Sequence, residues 1–170
     1  ITQTVRKYVL GNPSLKFIYI IDGKQKLNLN SNNLMGRIKD IYGSSHVSNI
    51  LEVKYKKGHY SISGYVGNLN LVKKRQGEQY FFLNRRAIQD RLLRSAVQTS
   101  YKSILSRGEF PFFIINIDMP LNGVDVNVHP AKAEIKFSQQ DVVFDSVKAA
   151  IRQASTNVPI ATPVVSRVPR

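Results

Sequence analysis

Asp125, Asn127 and His129 put an acid, an amide and an imidazole in a row, separated by Val126 and Val128 and preceded by Val124. Alternation with β-branched residues marks a half-buried strand, so the three polar groups share its outward face. Pro130 has no N–H to donate and stops the ladder. Lys132 follows at once and is expected in a turn, free to swing away from the sheet. A second alternating run then resumes, with Ile135 and Phe137 inward and Glu134 and Lys136 outward. A stiff strand, a break and one amine at the break suit contact with an anion held by something else. A charge-assisted contact of this kind contributes about 1.5–3 kcal/mol, enough to bias the docking of two domains. His46 and His59 lie far from His129 in sequence and form no helical pair, so no metal site is expected.

The second set of candidates is cationic. Arg85 and Arg86 leave the apolar run Tyr80-Phe81-Phe82-Leu83, Arg91 and Arg94 begin the helical segment after it, and Lys102 continues that stripe. Lys73-Lys74-Arg75 adds a third cluster in a polar loop. The planar guanidinium fork matches phosphate oxygens, and helix N-terminal amides reinforce it. A charged helix face is often merely solvated. Here 25 Lys+Arg stand against 11 Asp+Glu, a net charge of +14, which attracts polyanions. These residues are therefore expected to bind nucleic acid through its backbone phosphates, with little sequence preference and steep salt dependence. Tyr80-Phe81-Phe82 is read as core rather than as a stacking platform.

Several functions are excluded or disfavoured. The chain has no Cys, so thiolate chemistry and disulfides are out. There is no phosphate-cradling glycine loop and no ordered nucleophile, base and acid, so the fragment alone is read as non-catalytic, without a cofactor of its own. No apolar run approaches the roughly 20 residues of a membrane span, and no membrane partner is expected. A signal peptide is likewise not seen, which makes the cytoplasm (if bacterial) or the nucleus (if eukaryotic) the expected compartment. Ile1 begins mid-pattern, and the expectation is a chain cut from something longer.

These residues need elements to hold them. With 170 residues, 42% of them hydrophobic, the chain suffices for one packed domain. A first helix carries Val5, Tyr8 and Val9 on one face and stops at Gly11-Asn12-Pro13. Strands follow at 15–21 and 24–29 around the hairpin signal Asp22-Gly23, then a short helix with Leu34, Ile38 and Ile41 on one face. Strands are expected near 50–55 and 60–66 and at 80–83, where a continuous apolar run implies cover on both faces. A helix over 90–105 and a strand over 112–119 complete a strand–helix–strand unit. The last helix runs over 141–154. Proline-bearing residues 155–170 read as the start of a flexible linker after a domain spanning 1–154. The total is an α+β domain of about seven strands and four helices.

Together, Gln79-Tyr80-Phe81-Phe82-Leu83-Asn84-Arg85-Arg86, Asp90-Arg91-Leu92 and the block from Val124 to Phe137 resemble the MutL family of DNA mismatch repair proteins. The family writes these blocks as F-V-N-G-R and D-V-N-V-H-P-A-K-x-E-V-R-F, and the second is highly specific. The resemblance implies the transducer domain of the N-terminal ATPase region. Its fold would be a ribosomal-protein-like two-layer α/β domain with a mixed sheet and a left-handed strand–helix–strand crossover. In the intact protein, Lys132 would reach the γ-phosphate of ATP bound with Mg²⁺ in the adjoining ATPase domain, on a loop shaped by Asn127 and His129. Arg91 matches a family position implicated in DNA binding, and Arg86 ends the strand motif. Arg85 departs from the family's usual glycine, so the turn there is expected to differ in geometry. Implied partners are duplex or single-stranded DNA through its backbone phosphates, the adjoining ATPase domain, a MutS-type mismatch recognition protein and a MutL-type homo- or heterodimer mate. The competing expectation is a basic RNA- or ribosome-associated domain of similar fold.

Overall fold

The computed structural model describes residues 2–129 and 132–157. Helix α1 (Gln3–Gly11) starts at Thr2, whose hydroxyl accepts from Val5 N, and stops where Asn12 turns back to the Tyr8 carbonyl. Strands β1 (Phe17–Ile21) and β2 (Lys24–Leu29) pair antiparallel around Asp22-Gly23. Both turn residues have positive φ, 50° and 71°, as a type I′ hairpin requires. Asn33 caps α2 (Leu34–Tyr42), and a short α3 (Ser44–Val47) follows. Next come β3 (Ile50–Lys57), β4 (Tyr60–Gly67), β5 (Gln79–Leu83), β6 (Arg86–Ile88), α4 (Arg91–Tyr101) and β7 (Phe113–Asp118). The hairpin β8 (Val124–His129) and β9 (Lys132–Phe137) leads into α5 (Gln140–Asn157).

The main sheet has the order β3-β4-β7-β5-β6. Only β5 and β7 are parallel, linked through α4; every other neighbour is antiparallel, so the sheet is mixed. Side chains of β5 alternate between two cores, as period two demands. Phe81 and Leu83 join α4 and α5 on one face, while Tyr80 and Phe82 join Leu10 of α1 and Ile38 of α2 on the other. The α+β class and the mixed sheet are as expected. The two expected layers, sheet and α4–α5, are joined by a third formed by α1 and α2, because a strand apolar on both faces needs cover on both. Tyr101 closes the first core by donating its buried hydroxyl to the Gly67 carbonyl at 2.7 Å, and burial pushes its pKa up. At Gly64 (φ 129°) a Cβ would collide with the Ile114 carbonyl, so glycine lets β4 and β7 approach.

Fully buried Arg37 ties the β1–β2 hairpin to α2. One guanidinium nitrogen donates to the carbonyls of Pro13 and Leu15 at 2.7 Å and of Asn30 at 3.0 Å. The hairpin's outer face carries Ile18 and Ile20, each more than half exposed.

Several elements depart from expectation. The described residues hold nine strands and five helices rather than about seven and four. The additional strand β6 forms because Asn84 and Arg85 reverse the chain where the strand was expected simply to end. Tyr8, expected on the inner face of α1 with Val9, is 65% exposed; Val9 is buried as expected, and Leu10 is buried beside it. Helix α4 ends at Tyr101, whose carbonyl accepts from both Ile104 and Leu105 N–H in an irregular turn. Helix α5 extends to Asn157, past the expected end at 154.

Candidate nucleic-acid interface

The arginines at 85 and 86 owe their position to one turn. Asn84 (φ 47°) and Arg85 (φ 67°) both adopt the left-handed conformation, which a two-residue type I′ loop requires at each central position. Asn84 is well suited to it. Its N–H donates to the Ile117 carbonyl, its side-chain amide donates to Met119 O at 3.0 Å, and its side-chain carbonyl accepts from Met119 N at 3.0 Å. The side chain thus continues the β5–β7 ladder one step past the end of β5. Arg85 carries a Cβ at positive φ, at a steric cost of about 1 kcal/mol.

Strand β6 then delivers the chain to Asp90, whose carboxylate accepts from Leu93 N at 2.9 Å and caps α4. Arg91 is therefore the first helical residue, with Arg94 close behind it. Arg85, Arg86 and Arg91 are exposed and Arg94 is half-buried. None of the four has a carboxylate within ion-pair distance among the described residues. Lys7 of α1 completes the group. It lines one cleft of about 280 Å³ with Arg85 and Arg86, and a smaller one with Arg94. Sequence reasoning missed Lys7 because nothing in sequence indicated that α1 lies beside the β5–β6 turn. Lys102 caps the far end of α4, about 16 Å along the axis from Arg91.

The loop cluster lies elsewhere. Lys73 pairs through its backbone with Phe110, and the loop leads into the start of β5, so strand β5 separates it from Arg85 by about 16 Å. Lys73 Nζ holds Glu78 at 2.8 Å and Lys74 Nζ holds Glu109 at 2.8 Å. The Lys74 ammonium, and then the Ser106 N–H, keep the Glu109 carboxyl below the usual carboxylate range. Glu78 also faces His46 at 3.6 Å. The single basic surface expected from sequence is thus divided into two, of which the loop half already holds carboxylates. Arg75 is exposed on the same loop.

The hairpin β8–β9 stands apart from the main sheet as a two-stranded unit. Lys132 is not in a turn: it is the first residue of β9, in register with His129, because the chain has already reversed before it. Pro130 and Ala131 lie outside the described residues. Asn127 stands opposite Glu134, and Asp125 opposite Lys136. The base of the hairpin is anchored. Ser138 donates its N–H and its hydroxyl to the Gly123 carbonyl, each at 3.1 Å, and Phe137 is buried in the α4–α5 core. The register puts Lys132 at the opposite end, five residues from Phe137, or about 17 Å away. Among the described residues no group of three His, Asp or Glu is arranged to hold a metal ion, and no helix is long and apolar enough to cross a membrane.

Residues 38–156 match the sequence family described as the C-terminal domain of DNA mismatch repair protein. The chain belongs to the MutL family of DNA mismatch repair proteins. It is 34% identical to the DNA mismatch repair protein MutL of Chlorobium chlorochromatii, an alignment covering 96% of this chain and 26% of that one. With MutL of Clostridium tetani it shares 38% identity, over 86% of this chain and 24% of the relative. The chain thus spans about a quarter of the length of the MutL proteins it matches. A crystal structure of the N-terminal domain of a DNA repair protein superposes with a TM-score of 0.74 at 19% identity, covering 95% of this chain and 54% of that one. The MutL ATPase domain of Aquifex aeolicus complexed with ADP gives 0.52 at 18% identity, over 85% of this chain and 45% of the other. These structures share the fold. Within this MutL-family chain the two sequence blocks that carried the resemblance fall on structurally different devices, the β5–β6 turn and the β8–β9 hairpin.

Proposed function

We propose that this chain acts in DNA mismatch repair as the transducer segment of a longer MutL-type ATPase. It would report the state of a nucleotide held by another domain to a DNA surface of its own. The DNA surface is formed by Lys7, Arg85, Arg86, Arg91 and Arg94, with Lys102 extending it and Lys73, Lys74 and Arg75 flanking it. The observation that carries this reading is the cleft between α1 and the β5–β6 turn, lined by three cations and no carboxylate. Such a lining favours backbone phosphates without selecting a base sequence.

The nucleotide arm is Lys132, with Asn127 and His129 beside it in the hairpin. An amine at the free end of an anchored two-stranded arm fits a phosphate belonging to a neighbouring domain. ATP and Mg²⁺ would be held by the adjoining ATPase domain; bound there, ATP supplies the phosphate charge that Lys132 senses, and Mg²⁺ partly neutralises it. The same reading includes a MutS-type partner and a second MutL-type chain as dimer mate. The bacterial relatives point to a cytoplasmic setting.

Lys132→Ala in the full-length parent protein tests the arm. ATP turnover is expected to fall at least tenfold, a loss of about 1.4 kcal/mol or more, with the melting temperature unchanged. Turnover equal to the parent's would remove the phosphate contact from the reading.

A further inference from the structure

Strand β7 lies in the middle of the sheet, where both faces are covered, yet it carries polar residues at its end. Phe113, Ile115 and Ile117 face the α4–α5 core, and Ile114 faces the α1–α2 side. Period two then puts Asn116 and Asp118 on the α1–α2 side as well, with Ser63 of β4 in register with Asn116. The helical cover ends there. An open groove of about 250 Å³ forms beside the end of α1, lined by Ser63, Asn116 and Asp118, by the apolar Pro13 and Leu34, and by Arg85. Arg85 and Asn12 also line the cationic cleft, so the two depressions adjoin across these two residues.

Their chemistry differs. The cleft offers only cations and neutral groups. The groove adds the Asp118 carboxylate, the Asn116 amide, the hydroxyls of Ser14 and Ser63, and the apolar Leu10, Pro13 and Leu34. Asp118 repels phosphate, so a nucleic-acid backbone lying in the cleft does not continue into the groove. A flat heterocycle suits it: its face meets Pro13 and Leu34, and its edge both donates and accepts. A carboxylate accepts well from the cytosine amino group. The volume lies just under the roughly 300–1,000 Å³ of sites for drug-sized ligands, which fits a single base.

We propose that this groove takes one unstacked base of single-stranded DNA whose phosphates lie in the adjoining cleft. Bases in a duplex are paired and stacked, and only a single strand or an extruded position offers one. Asp118 and Asn116 read the edge of the base, and Arg85 spans phosphate and base. The inference rests on the backbone-binding reading above and names the form of DNA that reading left open.

The test compares an oligocytidylate strand with an abasic strand of equal length, binding to the 170-residue chain at one low salt concentration. The base-bearing strand is expected to bind about tenfold tighter, the equivalent of one net hydrogen-bonded contact. Asp118→Ala, at an exposed position, brings the two affinities together, and Asn116→Ala does the same. If Asn116→Ala fails to fold, Asp118→Ala alone carries the comparison. Equal affinity of the unaltered chain for both strands overturns the base site while leaving backbone binding intact. A preference that survives both substitutions also overturns it. Absence of binding to either strand, or binding indifferent to Arg86→Glu, overturns the backbone reading and the base site with it.

Discussion

The two ends of β5 carry similar charge and put it to different use. At its start, Lys73 and Lys74 are held by Glu78 and Glu109. At its end, Arg85 in the two-residue turn and Arg86 just after it stand with Lys7 beside them and no carboxylate within ion-pair distance among the described residues. The loop cations brace the protein against itself, while the turn cations remain available to another molecule. Net charge alone does not separate the two; the acids around each cation do.

The largest effect expected from this difference is on DNA affinity. Replacing Arg85 and Arg86 together by Glu should weaken binding at low salt by at least tenfold and reduce the salt slope by about two, one unit for each lost phosphate contact. Lys73→Glu with Lys74→Glu should change affinity by less than about threefold, since those charges are already compensated. Fluorescence anisotropy over a salt titration measures both; equal losses at the two ends would erase the distinction.

Asn84→Ala comes next. It removes two side-chain hydrogen bonds and the residue best suited to φ 47°. Urea denaturation should show a loss of about 2 kcal/mol, with weaker DNA binding as the turn loses definition. Arg85→Gly should move the two properties in opposite directions. Relief at φ 67° stabilises by about 1 kcal/mol, while one phosphate contact is lost. A variant that binds normally would show that Arg85 makes no phosphate contact.

The smallest effect concerns the pair at the start of β5. Glu109 is held below the ordinary glutamate range, chiefly by Lys74. Whatever stability this exposed pair contributes is complete above the unfolded-state value, about 4.3, and is lost as pH falls through the lower folded-state value. An NMR titration of the Glu109 carboxyl should place its midpoint below that of Glu109 in the Lys74→Ala variant. Coincident curves would mean that Lys74 does not hold it.

Much of this architecture was legible in the residues. Alternating apolar runs mark β1, β4, β7 and β8, and Asp22-Gly23 announces its hairpin because both residues tolerate positive φ. The apolar run 80–83 correctly signals cover on both faces. Strand β6 was not legible. An arginine in the second position of a type I′ turn goes against local preference, and the fold accepts it because Asn84 is fastened to Met119. Lys7 and the groove at Asp118 were hidden for another reason: they depend on α1 lying across the sheet, a tertiary fact without local signature. Lys132 was expected in a turn and instead opens β9, since strand pairing resumes there opposite His129.

The anchoring of β8–β9 at its base has a geometric result. With Gly123, Phe137 and Ser138 fixed at the base and Lys132 about 17 Å out, the arm is a lever. A 1 Å displacement at the tip corresponds to about 3° of rotation at the base, from the same strand rise. That small angle falls where Phe137 is buried beside α5, so a slight repacking at the base moves the first residue of β9 by about an ångström.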